Sequence, residues 1–151
     1  MKPRRKFIAS TSALMLAITV KPAALFAQSP NDSLEALVRA YVGAATPTEA
    51  RVKLAVAPLV DNGNSVPVEI TVESPMTAAD HVVGIALFNE KNPQRNVAEF
   101  TLNASAGRAR VATRIRLATT QKLVAVAKMN DGRCFTHTVE VLVTLAACIE
   151  E

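Results

Sequence analysis

From Val52 onward the apolar residues recur at every second position, and that alternation constrains the fold more than any other feature of the chain. In Val66-Pro67-Val68-Glu69-Ile70-Thr71-Val72 the aliphatic residues hold one parity, while Pro67, Glu69, Thr71 and then Glu73 hold the other. That is the pattern of a strand buried on one face, and its proline predicts an edge position, because proline has no N–H to give a ladder. Further strands are expected over 52–57, 81–88, 97–102, 108–117, 122–129 and 133–145. Asp61-Asn62-Gly63-Asn64, Ala106-Gly107 and Asn130-Asp131-Gly132 supply the turn chemistry between them. Seven short strands in about 95 residues, with no helical period between them, predict an all-β, immunoglobulin-like antiparallel sandwich. One short helix should precede it. Ser29-Pro30-Asn31-Asp32-Ser33 is rich in capping side chains, Leu34, Leu37, Val38 and Tyr41 follow at near-helical spacing, and Gly43 is a natural stop.

The 151 residues carry a formal charge of +4, which invites a nucleic-acid or membrane-surface reading. The distribution argues otherwise. Lys2, Arg4, Arg5, Lys6 and Lys21 all fall in the first 27 residues, where there is no Asp or Glu, so the remainder is close to neutral. With no Trp and one Tyr, a base-stacking platform is also missing, and nucleic acid is not an expected partner. Residues 1–27 have a cationic start, an apolar run from Phe7 to Val20 and a small-residue exit at Ala23, Ala24 and Ala27, the parts of a cleaved export signal. The run is shorter than the roughly 20 residues that span a bilayer, so no stable membrane anchor is expected. Arg4-Arg5 before Lys6-Phe7-Ile8 resembles a twin-arginine signal, which predicts a periplasmic protein exported folded. The expected organisation is a signal over 1–27, helix and linker over 28–50, the sandwich over 51–145 and a short arm over 146–151.

The chain has two cysteines, Cys134 and Cys148. Fourteen residues of mostly extended chain separate them, and a disulfide needs Cα atoms within about 7 Å, so an intramolecular bridge is not expected. Parity places Phe135, His137, Val139, Val141, Val143 and Leu145 on the core side, and Cys134, Thr136, Thr138 and Glu140 on a more exposed side. Cys134 and His137 therefore point to opposite faces and form no local catalytic pair. Two histidines exclude a histidine-rich metal site, and no GxSxG, phosphate loop or HExxH occurs. No cofactor and no catalytic residue is assigned, and the chain does not read as an enzyme. Asn103-Ala104-Ser105 matches a glycosylation sequon and reads as a loop.

Cys148 lies three residues past Leu145, where nothing after it can form another element. It is either an incidental terminal cysteine or a thiol on a tether, presented to a pocket on another protein. Arg108, Arg110, Arg114 and Arg116 share parity on one predicted strand. They form either a docking face for an acidic partner or a solvated face paired with Glu69, Glu73 or Glu99. The run Val82-Val83, Ile85, Leu87-Phe88 is apolar on both parities, as in a central strand or a patch covered by a partner.

Several stretches in register resemble one family. These are Asp61-Asn62-Gly63-Asn64-Ser65-Val66-Pro67-Val68, Ser74-Pro75-Met76-Thr77-Ala78-Ala79-Asp80, Phe88-Asn89-Glu90-Lys91-Asn92-Pro93 and Thr113-Arg114-Ile115-Arg116-Leu117-Ala118. Together with the leader, the short helix and the cysteine near the end, they resemble the SoxY family, the sulfur carrier of the periplasmic thiosulfate-oxidising Sox system. The resemblance implies that Cys148 bears a covalent sulfur adduct, and that the partners are a SoxZ-like subunit or a second copy, together with periplasmic oxidoreductases. The family's usual arm is Gly-Gly-Cys-Gly-Gly, whereas Ala146-Ala147-Cys148-Ile149-Glu150 stands here. That arm resembles the SoxY-related "AACIE arm" paralogues associated with periplasmic quinoprotein oxidation, which implies a redox or assembly partner of such a system. Ala and Ile restrict a backbone that glycine leaves free. Glu150, Glu151 and a terminal carboxylate would disfavour the thiolate and repel anions, so that chemistry at Cys148 would depend on a partner's cationic pocket.

Overall fold

A computed structural model describes residues 33–146. The chain opens with α1 (Leu34–Val42), followed by β1 (Thr48–Glu49), β2 (Val52–Ala55), β3 (Leu59–Val60), β4 (Val66–Val72), β5 (Val82–Asn89), β6 (Asn96–Thr101), β7 (Arg110–Ile115), β8 (Gln121–Met129) and β9 (Cys134–Val143). Two sheets form. The larger runs β1-β9-β8-β5-β6 with β3 also paired to β9, and the smaller runs β2-β4-β7. The long pairings are antiparallel, as the alternation and turn residues require. The expected immunoglobulin-like β-sandwich with one preceding helix is the fold observed.

The core lies between the sheets. Val52 and Leu54 of β2, and Val66, Val68, Ile70 and Val72 of β4, face Ile85, Leu87, Leu123, Ala125, Ala127, Met129 and Val141 of the larger sheet. On β4 the buried residues alternate with Pro67, Glu69 and Thr71, as predicted. The edge position expected for that strand is incorrect, since β4 is the middle strand of its sheet. The proline is tolerated because β2 is short. Its register runs only from Val52↔Val72 to Ala55↔Glu69, so on that side Pro67 lies beyond the partner strand.

A second apolar cluster covers the outer face of the larger sheet. Leu37 and Val42 of α1 pack with Ala86, Phe88, Val124, Val126 and Cys134. The helix begins where Ser33 accepts the Ala36 N–H on its side-chain oxygen, and it ends at Gly43, whose φ of 67° few other residues adopt without strain. Its apolar stripe explains why β5 is hydrophobic on both faces: one faces the sandwich core and the other faces the helix.

Two short strands were not predicted. Thr48–Glu49 and Leu59–Val60 both pair in parallel with the outer edge of β9, at Phe135–Thr136 and at Leu142–Val143. Asn103-Ala104-Ser105 sits at a short 3-10 turn in which Asn103 Oδ1 accepts the Ser105 N–H at 2.9 Å.

Candidate functional site

The last strand delivers the C-terminal arm, and its final residues are tightly held. Leu142 N donates to Pro58 O at 2.9 Å and Thr144 N to Val60 O at 3.0 Å, which extends the β3–β9 pairing. From the other side Val143 N donates to Thr120 Oγ1 at 3.0 Å. The Thr144 hydroxyl lies 3.4 Å from Val60 O and 3.3 Å from Asp61 O. Leu145 O then accepts the Gly63 N–H at 2.8 Å, and Gly63 O accepts the Leu117 N–H at 2.9 Å. Gly63 thus joins the root of the arm to the end of the small sheet. Whatever follows leaves from a fixed, exposed point at Ala146. Ala147, Cys148, Ile149 and Glu150 lie outside the described residues, as do Arg4 and Arg5.

The surroundings of this root are unusual for the molecule. Leu59, Leu142 and Leu145 are 55%, 53% and 61% exposed and are the large apolar side chains left open among the described residues. Leu59 and Leu142 are direct partners in the ladder, and Leu145 follows three residues later. Alternation places Leu145 on the core side, and that is incorrect: β9 ends at Val143, so the parity does not carry on to Leu145, which is open.

Cys134 corrects the sequence reading. Parity does set it opposite Phe135, but its side is not the exposed one, for Cys134 is 3% exposed beneath α1. Its thiol lies 3.7 Å from Gly132 O, and burial pushes its pKa up, with Lys128 partly opposing that. It is an inert packing residue, unlike a tethered cysteine. Lys128 and Tyr41 close the site above it. Lys128 Nζ stands 4.7 Å over the Tyr41 ring and donates to Tyr41 O at 3.0 Å. Burial raises the Tyr41 phenol to about 12, helped by Glu99.

Cys134 opens β9, and Cys148 follows the end of that strand by five residues in the sequence. Cys134 and Val143 are nine strand steps apart, roughly 30 Å. The five residues from Val143 to Cys148 span at most about 17 Å, leaving a gap larger than a disulfide bridges.

His137 is half-buried, and its Nδ1 accepts the Leu54 N–H at 3.0 Å, tying β9 of one sheet to β2 of the other. That bond fixes the neutral tautomer with the proton on Nε2. It is a structural bond, several strand steps from the arm. Among the described residues no three His, Cys, Asp or Glu side chains gather to hold a metal ion, and no helix is long and apolar enough to cross a membrane.

The four predicted arginines do not all lie on one strand. Arg110 and Arg114 are on β7, while Arg108 precedes it and Arg116 follows it, and all four are exposed. The alternation continues past the strand because Ala109 and Leu117 remain buried in the core. Arg110 pairs with Glu69 at 2.6 Å, and that contact holds the Glu69 carboxyl below its usual range. Arg114 donates to Ser65 Oγ at 3.3 Å. A groove of about 540 Å³ between α1 and the outer face of β8 and β9 includes Leu34, Glu35, Val38, Lys122 and Thr138.

The family model for "Sulfur oxidation protein SoxY" matches residues 38–148, from within α1 to the cysteine of the arm. The chain belongs to the SoxY family. Among solved structures, the sulfur carrier protein SoxY from Chlorobium limicola f thiosulfatophilum is 25% identical. The match covers 75% of this chain and 97% of that one, with a TM-score of 0.63. Superoxide reductases share the fold. The neelaredoxin from Ignicoccus hospitalis is 16% identical, over 62% of this chain and 80% of that one, with a TM-score of 0.56. The superoxide reductase from Nanoarchaeum equitans is 14% identical, over 63% of this chain and 98% of that one, with a TM-score of 0.53. At that identity the likeness is one of architecture alone. No curated protein matches the sequence.

Proposed function

We propose that this chain is a carrier in sulfur oxidation that presents Cys148 to partner enzymes as a covalent attachment point. The observation that carries this reading is that the family match runs through the anchored root and ends on Cys148 itself. The body of the protein supplies a rigid base, and the thiol follows Ala146 by two residues, a reach of about 7 Å. Joining the Cys148 thiolate to a sulfur nucleophile forms an S–S bond and releases two electrons, which a partner oxidoreductase must accept. Later exchange of the adduct between thiols needs no further oxidant. In this reading the catalytic groups belong to the partners. Arg4-Arg5 support export to the periplasm, where a SoxZ-like subunit or a second copy would complete the carrier.

The arm sequence supports a second reading, in which the chain is a redox or assembly partner of a periplasmic quinoprotein dehydrogenase system. Ala146-Ala147-Cys148-Ile149-Glu150 is bulkier and more acidic than a glycine arm, which disfavours insertion beside an anionic sulfur substrate. A chromosomal Cys148→Ser substitution separates the two. Loss of growth or respiration on reduced sulfur compounds, with alcohol oxidation intact, supports the carrier. The reverse pattern supports the quinoprotein reading, and normal growth on both overturns both.

A further inference from the structure

The outer face of the small sheet has its charges unevenly balanced along its length, and the excess lies at the end nearest the arm. In the middle, Glu69 takes Arg110. Toward the arm the residue opposite Arg114 is Pro67 rather than an acid, so Arg114 reaches only a serine hydroxyl. Arg116, exposed one alternation further, has no ion pair among the described residues. In the adjoining turn the Asp61 backbone carbonyl faces the Thr144 hydroxyl, and the Asp61 carboxylate forms no ion pair with either arginine. Two guanidinium groups are thus left without an ion pair among the described residues.

The same end of the sheet is joined to the root of the arm. Leu117 N bonds Gly63 O and Gly63 N bonds Leu145 O, so only one residue stands between the segment that carries Arg116 and the residue from which the arm departs. At strand spacing the two backbones are roughly 10 Å apart. Glu150 and Glu151 follow Leu145 by five and six residues, a reach of up to about 17–20 Å. The two cations and the two acids of the arm therefore lie within one tether length of each other.

We propose that Glu150 and Glu151 dock in cis on Arg114 and Arg116, laying the arm and Cys148 along the end of the small sheet. The inference goes beyond the carrier reading and does not depend on it. Exposed ion pairs contribute little singly, but a short tether gives the acidic tip an effective concentration in the millimolar range, so the two pairs act together. Docking also neutralises the acids beside the thiol. In this state the tip no longer repels an anionic cargo.

The test places a neutral nitroxide on Cys148 of the isotopically labelled full chain, which is selective because Cys134 is buried beneath α1. Broadening of the Ser65 amide is compared with that of Leu59 and Leu142, which flank the same root. Docking predicts at least a twofold larger relaxation enhancement at Ser65. It also predicts loss of that preference in Glu150→Gln/Glu151→Gln, in Arg114→Ser/Arg116→Ser and in 1 M salt, where the Debye length is about 3 Å. Equal broadening on both sides overturns the proposal, as does a preference that survives both charge removals. So does broadening that appears only between nitroxide-bearing and isotope-labelled chains when mixed, which would mean docking in trans.

Discussion

Replacing Leu37 with alanine tests whether α1 is what keeps Cys134 inert. Leu37 is 7% exposed, and it packs in the same cluster as Cys134, Ala86, Phe88 and Val126 on the outer face of the larger sheet. Its contacts are with that face, so truncation weakens helix docking and leaves the core between the sheets intact. Large-to-small changes of this kind cost about 2–5 kcal/mol, and a residue in a one-helix layer belongs at the lower end, about 2–3 kcal/mol. If α1 opens as a local unit, the open population rises tenfold per 1.4 kcal/mol, or about 30- to 140-fold. Iodoacetamide alkylation of Cys134 in a Cys148→Ser background, followed by intact mass under native conditions, reads that population directly. The expected result is an acceleration in that range, with Leu145→Ala leaving the rate unchanged. A Leu37→Ala rate within twofold of the parent would refute the claim that the helix guards the thiol.

Three further outcomes follow from the same packing. A Cβ at Gly84 would stand 2.7 Å from the Tyr41 hydroxyl, so Gly84→Ala should destabilise by about 1–3 kcal/mol in urea denaturation, and Tyr41→Phe in the same chain should recover most of the loss. Because Tyr41 is the single tyrosine and there is no Trp, ultraviolet titration reports it cleanly. The native midpoint should be about 12, and that of the urea-unfolded chain should fall back to the ordinary value near 10. With the folded value raised, this contribution to stability is complete below pH 10 and is lost as pH rises toward 12, and Tyr41→Phe should flatten that loss. His137→Ala leaves the Leu54 N–H without its acceptor and should cost about 1–2 kcal/mol by chemical denaturation, whereas an unchanged midpoint would mean that the bond contributes nothing.

Much of the sandwich was legible because alternation reports which side of a strand each residue takes. Val66–Val72 was read to its ends, and Gly43 and Gly107 mark real chain reversals with positive φ. Alternation does not report what covers each side. Cys134 was placed opposite Phe135 correctly and called exposed wrongly, because the apolar stripe of α1 lies over it, a contact between residues about ninety positions apart. Pro67 signalled an edge that exists only beyond the end of β2. The two-residue strands at Thr48–Glu49 and Leu59–Val60 have no period to read, since they exist through backbone pairing to β9. The anchored root was invisible for the same reason. Cys148 lies outside the described residues, and the sequence offers it as a site through the resemblance of its arm.

The central claim is that Cys148 is where cargo attaches. Intact mass of the protein isolated from its native compartment, with and without reductant and followed by peptide mapping, tests it most directly. The expected result is an adduct removed by reductant, confined to the peptide that contains Cys148, with Cys134 unmodified. A Cys148 thiol that is always free, or an adduct mapped to Cys134, would contradict it.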